Sequence, residues 1–133
     1  VAIVTIKIGT DICSTSRVAQ AYAKFGERLL RRILTEHEMR YVLSAPKHTV
    51  SRLSGRFAAK EAAAKALGTG WYGLDWKEVE IVHKPSGEPT VKLHGRAVQI
   101  AARRKLTDWE VSISHEREYA CATVLAHTGS ESP

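Results

Sequence analysis

Glu61 and Lys65 stand four residues apart in a stretch of strong helix formers, one helical turn after Phe57, so the three side chains share a face. An arbitrary Glu-Lys pair at this spacing is an exposed ion pair worth about 0.2–0.5 kcal/mol. Three features set this pair apart. Ala62, Ala63 and Ala64 make the helix thin enough for a ligand or second subunit to approach closely, Arg56 adds charge one turn back, and Gly68-Thr69-Gly70 follows with open backbone. Such a surface suits phosphates.

Asp11 lies just past the first apolar stretch, where a lone carboxylate is ordinarily a turn residue or helix cap. If it converges with Glu61, the two hard oxygen donors suit Mg²⁺, which takes one or two carboxylates and completes its shell with water and substrate phosphate oxygens. That is an arrangement for phosphoryl transfer. Neither common nucleotide motif is present: Gly9-Thr10-Asp11 is no P-loop, and Gly68-Thr69-Gly70 lacks the dinucleotide spacing. His115-Glu116 follows an apolar-alternating stretch, where a histidine serves as general base or ligand contact, or is simply solvated. His37, His48, His83, His94 and His127 have no zinc-ligand spacing with cysteine or one another. Cys121 alternates with Tyr119 and Thr123, which predicts a packing role rather than a reactive thiol.

The elements that must carry these residues follow from periodicity. Residues 1–8 read as a strand ended by Gly9-Thr10-Asp11, and Ser14 and Ser16 offer caps for a helical stretch to residue 34 that Gly26 divides in two. Thr35-Glu36-His37-Glu38 is a capping box for a short helix to about Leu43, stopped before Pro46. Residues 50–67 predict the long helix, closed by Gly68 as a left-handed cap. Residues 76–83 and 90–93 predict a hairpin around Pro85-Ser86-Gly87, residues 97–105 a helix, and residues 109–114 and 119–126 two further strands. Strands in hairpins toward the C-terminus and helices clustered earlier predict an α+β fold: a mainly antiparallel sheet with one long helix against it and several shorter ones. Residues 1–127 form one expected domain and residues 128–133 a disordered tail.

The 133 residues are enough for one domain with a core that needs no disulfide or structural metal. Twenty Lys and Arg against fourteen Asp and Glu leave a charge of +6, which favours anionic partners: nucleotides, nucleic acid or an acidic protein. A nucleic-acid-binding module without catalysis accounts for that charge but not for paired carboxylates beside a phosphate surface. Trp71, Tyr72 and Trp76 sit among turn signals and are not interleaved with basic residues as a single-strand binder requires. Lys24, Arg28, Arg31 and Arg32 form either a solvated face or a dock for an acidic partner. Two cysteines without metal spacing, and no long apolar run or signal sequence, predict a cytoplasmic protein away from the membrane.

Gly9-Thr10-Asp11-Ile12, the run RFAAKEAAAKALGTG at residues 56–70, Gly87-Glu88-Pro89, Ser112-Ile113-Ser114-His115 and the strand that begins Tyr119-Ala120-Cys121 occur in one order. In these motifs the chain resembles the bacterial holo-acyl-carrier-protein synthases, the small type of 4'-phosphopantetheinyl transferase of fatty acid biosynthesis. The resemblance implies transfer of 4'-phosphopantetheine from coenzyme A to a serine of apo acyl carrier protein, with release of adenosine 3',5'-bisphosphate. It further implies that Asp11 and Glu61 hold Mg²⁺ against the coenzyme A pyrophosphate and that Lys65 lies beside it. Arg56, Phe57, the backbone near Gly68, the turn at Ser86, Gly87 and Pro89, and His115 are implied in coenzyme binding. The proton acceptor stays open among Glu116, His115 and a metal-bound water. A homotrimer with active sites between subunits is implied, as is docking of the acidic carrier on the first helix at Arg17, Lys24 and Arg28. Two positions depart from the family pattern: Lys7 stands where a small residue is usual, and Ser14 replaces a common acidic residue.

Overall fold

The computed structural model describes residues 4–129. Strand β1 (Ile6–Ser14) does not end at Gly9-Thr10-Asp11 as the turn-like composition predicts; it runs straight through them. Nine consecutive antiparallel pairings with β5 (Tyr119–His127), from Ile6 opposite His127 to Ser14 opposite Tyr119, override the local propensity. Gly9 is there for a close approach rather than a turn: a Cβ on it would sit 1.8 Å from the Ala62 carbonyl oxygen. Residues 1–3 of the expected first strand lie outside the described residues.

Helix α1 (Thr15–Phe25) begins at Ser14, whose side chain accepts from the Arg17 amide. Gly26, at φ 57°, breaks it from α2 (Glu27–Ile33). The capping box is complete in both halves and starts α3 (Glu36–Leu43). A short 3₁₀ turn then leads into the 19-residue α4 (Thr49–Leu67), which Gly68 closes in the left-handed conformation. Residues 76–78 form a 3₁₀ turn instead of strand, because the Asp75 side chain caps it through the Lys77 amide, 2.9 Å away. The hairpin follows as β2 (Val79–His83) and β3 (Pro89–Leu93), then α5 (Gly95–Arg103), β4 (Asp108–His115) and β5.

All strand pairings are antiparallel, with β5 central in the order β1-β5-β4 and the β2-β3 hairpin separate. The hairpin lies along β4, where the Thr90 hydroxyl donates to the Trp109 carbonyl at 3.4 Å. This is the α+β architecture expected, with α4 at its centre. One side of α4 packs on Ala122, Val124 and Ala126 of β5, and the other meets a cluster of Leu30, Ile33, Leu34, Val42 and Leu53 beneath α1, α2 and α3. Ala62, Ala63 and Ala64 are therefore buried inside this one chain and do not present a thin surface to a ligand or subunit. Their small size serves the helix-to-sheet approach at Gly9.

Every second residue of β5 faces away from α4, and that face is open. Cys121 is exposed on it between Tyr119 and Thr123, which corrects the expected packing role. Beside it on β1, Ile6, Ile8 and Ile12 are 61%, 65% and 65% exposed, an apolar row that nothing among the described residues covers. Two residues of the expected tail are tied down: the Thr128 amide donates to Thr5 O at 2.9 Å, and the Gly129 amide to Thr107 Oγ1 at 2.6 Å. Residues 130–133 lie outside the described residues. Among the described residues no helix is long and apolar enough to cross a membrane.

Candidate active site

Strand alternation turns Gly9, Asp11 and Cys13 toward α4. Gly9 abuts Ala62, Asp11 meets Lys65, and the Cys13 thiol lies 3.4 Å from Ser54 O. Asp11 thereby faces the same helix that carries Phe57, Glu61 and Lys65 one turn apart. These four residues and Arg17 line a single cleft of about 510 Å³ whose floor is apolar, built from Val18, Leu29, Ile33 and Leu53.

Lys65 does not pair with Glu61. Its Nζ reaches Asp11 Oδ1 at 3.3 Å and Thr10 O at 2.9 Å. The Asp11 side chain is 17% exposed and that of Lys65 53%, so the carboxylate is held while the ammonium sits largely in water. An ion pair this wet is weak, and Lys65 is free to exchange its acceptors for those of a ligand. Glu61 remains on the cleft wall. Among the described residues no cluster of three or more His, Cys, Asp or Glu could hold a metal, so the donors available here are two carboxylates. That donor set fits Mg²⁺, which leaves the rest of its shell to water and phosphate.

Arg56 is not in this cleft. Turned about 100° from Phe57 around the helix, it is 4% exposed and stacks on the Tyr41 ring at 4.1 Å, while its Nη2 lies 3.0 Å from His83 Nε2. Burial holds its guanidinium below the ordinary value despite the nearby Tyr41 and Glu38. Phe57 does face the cleft and stacks on Trp76 at 5.3 Å, which in turn stacks on Trp71 at 3.9 Å. Trp71 and Trp76 are thus occupied by one another.

His115 ends β4 with its ring against α4: a Cβ on Gly55 would lie 2.6 Å from His115 Nε2. Burial, then the Arg56 charge, lowers its pKa. Glu116 borders an adjoining groove that shares Ser14 with the cleft. Ser86, Gly87 and Pro89 are at the hairpin turn, and Gly68 caps α4; none of these lines the cleft within one chain. Lys24 and Arg28 flank the half-exposed Phe25 ring at 5.2 and 6.0 Å, farther along the basic surface that Arg17 begins.

Two groupings were not foreseen. The Glu38 carboxylate, read as half of a capping box, is fully buried with Lys60 at 2.7 Å, and Lys60 Nζ also donates to Trp76 O and Val79 O. Burial pulls the Lys60 pKa down. The second is the stack of Tyr41, Arg52, Arg56 and His83, which no local spacing announces because it joins α3, α4 and β2.

Residues 7–124 match the family model described as the 4'-phosphopantetheinyl transferase superfamily. The chain is 48% identical over 118 residues to the holo-[acyl-carrier-protein] synthase of Gloeobacter violaceus, covering 89% of each. The crystal structure of holo-[acyl-carrier-protein] synthase from Neisseria meningitidis superposes with TM-score 0.83 at 36% identity, over 90% of this chain and 96% of that one. The Helicobacter pylori enzyme in complex with coenzyme A gives TM-score 0.78 at 29% identity, over 90% and 98%.

Proposed function

The chain belongs to the 4'-phosphopantetheinyl transferase superfamily, and from that premise we propose that it transfers 4'-phosphopantetheine from coenzyme A to a serine of apo acyl carrier protein. The observation that carries the reading is the convergence of Asp11, Glu61 and Lys65 in one cleft, from a strand and a helix some fifty residues apart.

Asp11 and Glu61 would hold Mg²⁺ there, and its charge would offset that building on the pyrophosphate oxygens. The carrier serine hydroxyl attacks the β-phosphorus, the one bearing pantetheine. As its O–P bond forms, the bond from that phosphorus to the bridging oxygen breaks, and adenosine 3',5'-bisphosphate leaves. Lys65, already on the cleft rim with replaceable partners, stabilises or protonates the leaving phosphate. Glu116 and His115 are the side chains offered for the serine proton; the groove shared through Ser14 favours Glu116. Phe57 binds coenzyme from the cleft wall, while Arg56 and the backbone near Gly68 contribute from outside that cleft. Arg17, Lys24 and Arg28 present positive charge to the acidic carrier beside the cleft.

Arg56, Gly68, Ser86, Gly87, Pro89 and His115 all lie outside the cleft of one chain and would reach a coenzyme held there from another copy, and the row of Ile6, Ile8 and Ile12 is the surface on which copies would meet. A homotrimer with sites between subunits, working in the cytoplasm, accounts for both. The deciding experiment is the intact mass of apo acyl carrier protein after incubation with this protein, coenzyme A and Mg²⁺. A gain of one phosphopantetheine, lost with EDTA and with the carrier serine changed to alanine, is expected. No gain with several folded apo carriers would reduce the likeness to one of fold.

A further inference from the structure

Arg56 presents an unfinished set of hydrogen bonds. A guanidinium has five N–H donors in a rigid fork. Here Nη2 is satisfied by His83 Nε2 at 3.0 Å, while Nε is buried and has no partner. Among the described residues no carboxylate pairs with Arg56; Glu38, the nearest by charge, is already held by Lys60. The other groups around it are cationic or neutral: Arg52 from its own helix, Tyr41 from α3, His83 from β2 and His115 from β4, with His37 of α3 acting on His83. A buried guanidinium with an unpartnered Nε and no carboxylate paired to it is a receptor for an anion.

Its orientation is built by two residues. The Tyr41 ring carries Arg56 at 4.1 Å and Arg52 at 4.3 Å, and the His83 ring leans against the same Tyr41 at 4.7 Å. The stack fixes the guanidinium plane, and the bond to His83 fixes its rotation in that plane. We propose that Tyr41 and His83 are positioning residues that hold Arg56 with its remaining donors directed at a phosphate of coenzyme A. This rests on the reading of Arg56 as a coenzyme-binding residue.

The bond to His83 has a condition: only neutral imidazole, protonated on Nδ1, can accept at Nε2. Burial first, and then the charges of Arg56, His37 and Arg52, keep His83 neutral at ordinary pH. Acid removes the acceptor and adds a like charge beside Arg56. A glutamine at this position accepts through its amide oxygen at every pH.

The test is KM for coenzyme A and kcat, with calorimetric coenzyme binding alongside, across about pH 5.5 to 8 for the wild type and three variants. Arg56→Ala is expected to raise KM at least about tenfold at all pH. Tyr41→Leu should raise KM about three- to tenfold with kcat changed less than about twofold, because it loosens the guanidinium without touching the reacting atoms. In the wild type, KM should climb below about pH 6, and His83→Gln should flatten that rise while holding KM near the wild-type value at about pH 7.5. Identical KM profiles for wild type and His83→Gln would overturn the role of His83, and wild-type KM in Tyr41→Leu that of Tyr41. An unchanged KM in Arg56→Ala would instead overturn the reading of Arg56 itself. Should Tyr41→Leu fail to fold, Tyr41→Gln replaces it, and the His83→Gln profile decides independently.

Discussion

At the scale of single residues, geometry separates groups that act from groups that hold. Glu61 has no ion-pair partner among the described residues and lies on the cleft wall, so its removal should spare the fold. Glu61→Ala is expected to lower turnover at least about a thousandfold, with a melting temperature within about 2 °C of wild type. Near-normal turnover at ordinary Mg²⁺ would remove Glu61 from the proposed metal site. Gly55 is the converse case, a residue that acts only by leaving room. A Cβ there would lie 2.6 Å from His115 Nε2 and 3.1 Å from Ile113 Cγ2. The imidazole is the far end of a side chain and can turn away, so Gly55→Ala should displace His115 more than it unfolds the protein. Its KM for coenzyme A should rise by about threefold or more while the melting temperature falls only slightly; an unmoved His115 resonance by NMR would count against this.

At the scale of elements, the contact between β1 and α4 decides whether a site exists. The added Cβ in Gly9→Ala would collide with backbone, at 1.8 Å from Ala62 O and 2.8 Å from Ala66 N, and backbone cannot turn aside. A loss of at least about 3 kcal/mol is expected, seen as a drop in melting temperature of about 10 °C or absence of folded protein. Asp11 rides two residues farther on that strand, so turnover should fall with it. The Glu38–Lys60 pair does for α3 what Gly9 does for β1. Its carboxylate also accepts from the amides of Thr35 and Ile81, each at 2.9 Å, and so pins α3 to α4 and to β2. Lys60→Met leaves a buried carboxylate uncompensated and should cost about 3–5 kcal/mol by denaturant unfolding. A companion Glu38→Gln that recovers part of the loss would identify the stranded charge as the cause.

For the whole molecule, the roles proposed for the open sheet face and the basic surface are assembly and encounter with the carrier. Ile8→Asp places a charge in the centre of the apolar row without entering the core, so the chain should stay folded and fail to self-associate. Sedimentation equilibrium should then give a monomer mass, with turnover reduced in parallel; a trimer of unchanged stability would locate the contact elsewhere. The folded protein also resists taking up protons at two histidines. Burial, then neighbouring positive charges, depress His83 and His115. The unfolded chain binds these protons more readily. Their full contribution to stability therefore stands above the unfolded value of about 6.5 and is lost as pH falls through the depressed folded values. Calorimetric melting temperatures should decline from about pH 7.5 to about pH 5, and a flat profile would contradict the lowered proton affinity of both rings.

Local rules carried far into this molecule. Gly26 and Gly68 end helices because of backbone freedom, Thr35 and Glu38 start one by reciprocal hydrogen bonds, and the alternation of β4 and β5 marks their two faces; each depends on neighbours a few residues away. The motifs around Asp11, Glu61 and Lys65 likewise identify the family by residue type and order alone. What only the tertiary structure decided are the contacts between distant segments. Strand pairing with β5 carries β1 through a glycine that composition marks as a turn, α4 closes onto that glycine with its alanines inward, and Arg56 turns away from the cleft to Tyr41 and His83. Those outcomes depend on pairing, close packing and burial across dozens of residues, for which the types and spacing of neighbours along the chain hold no signal.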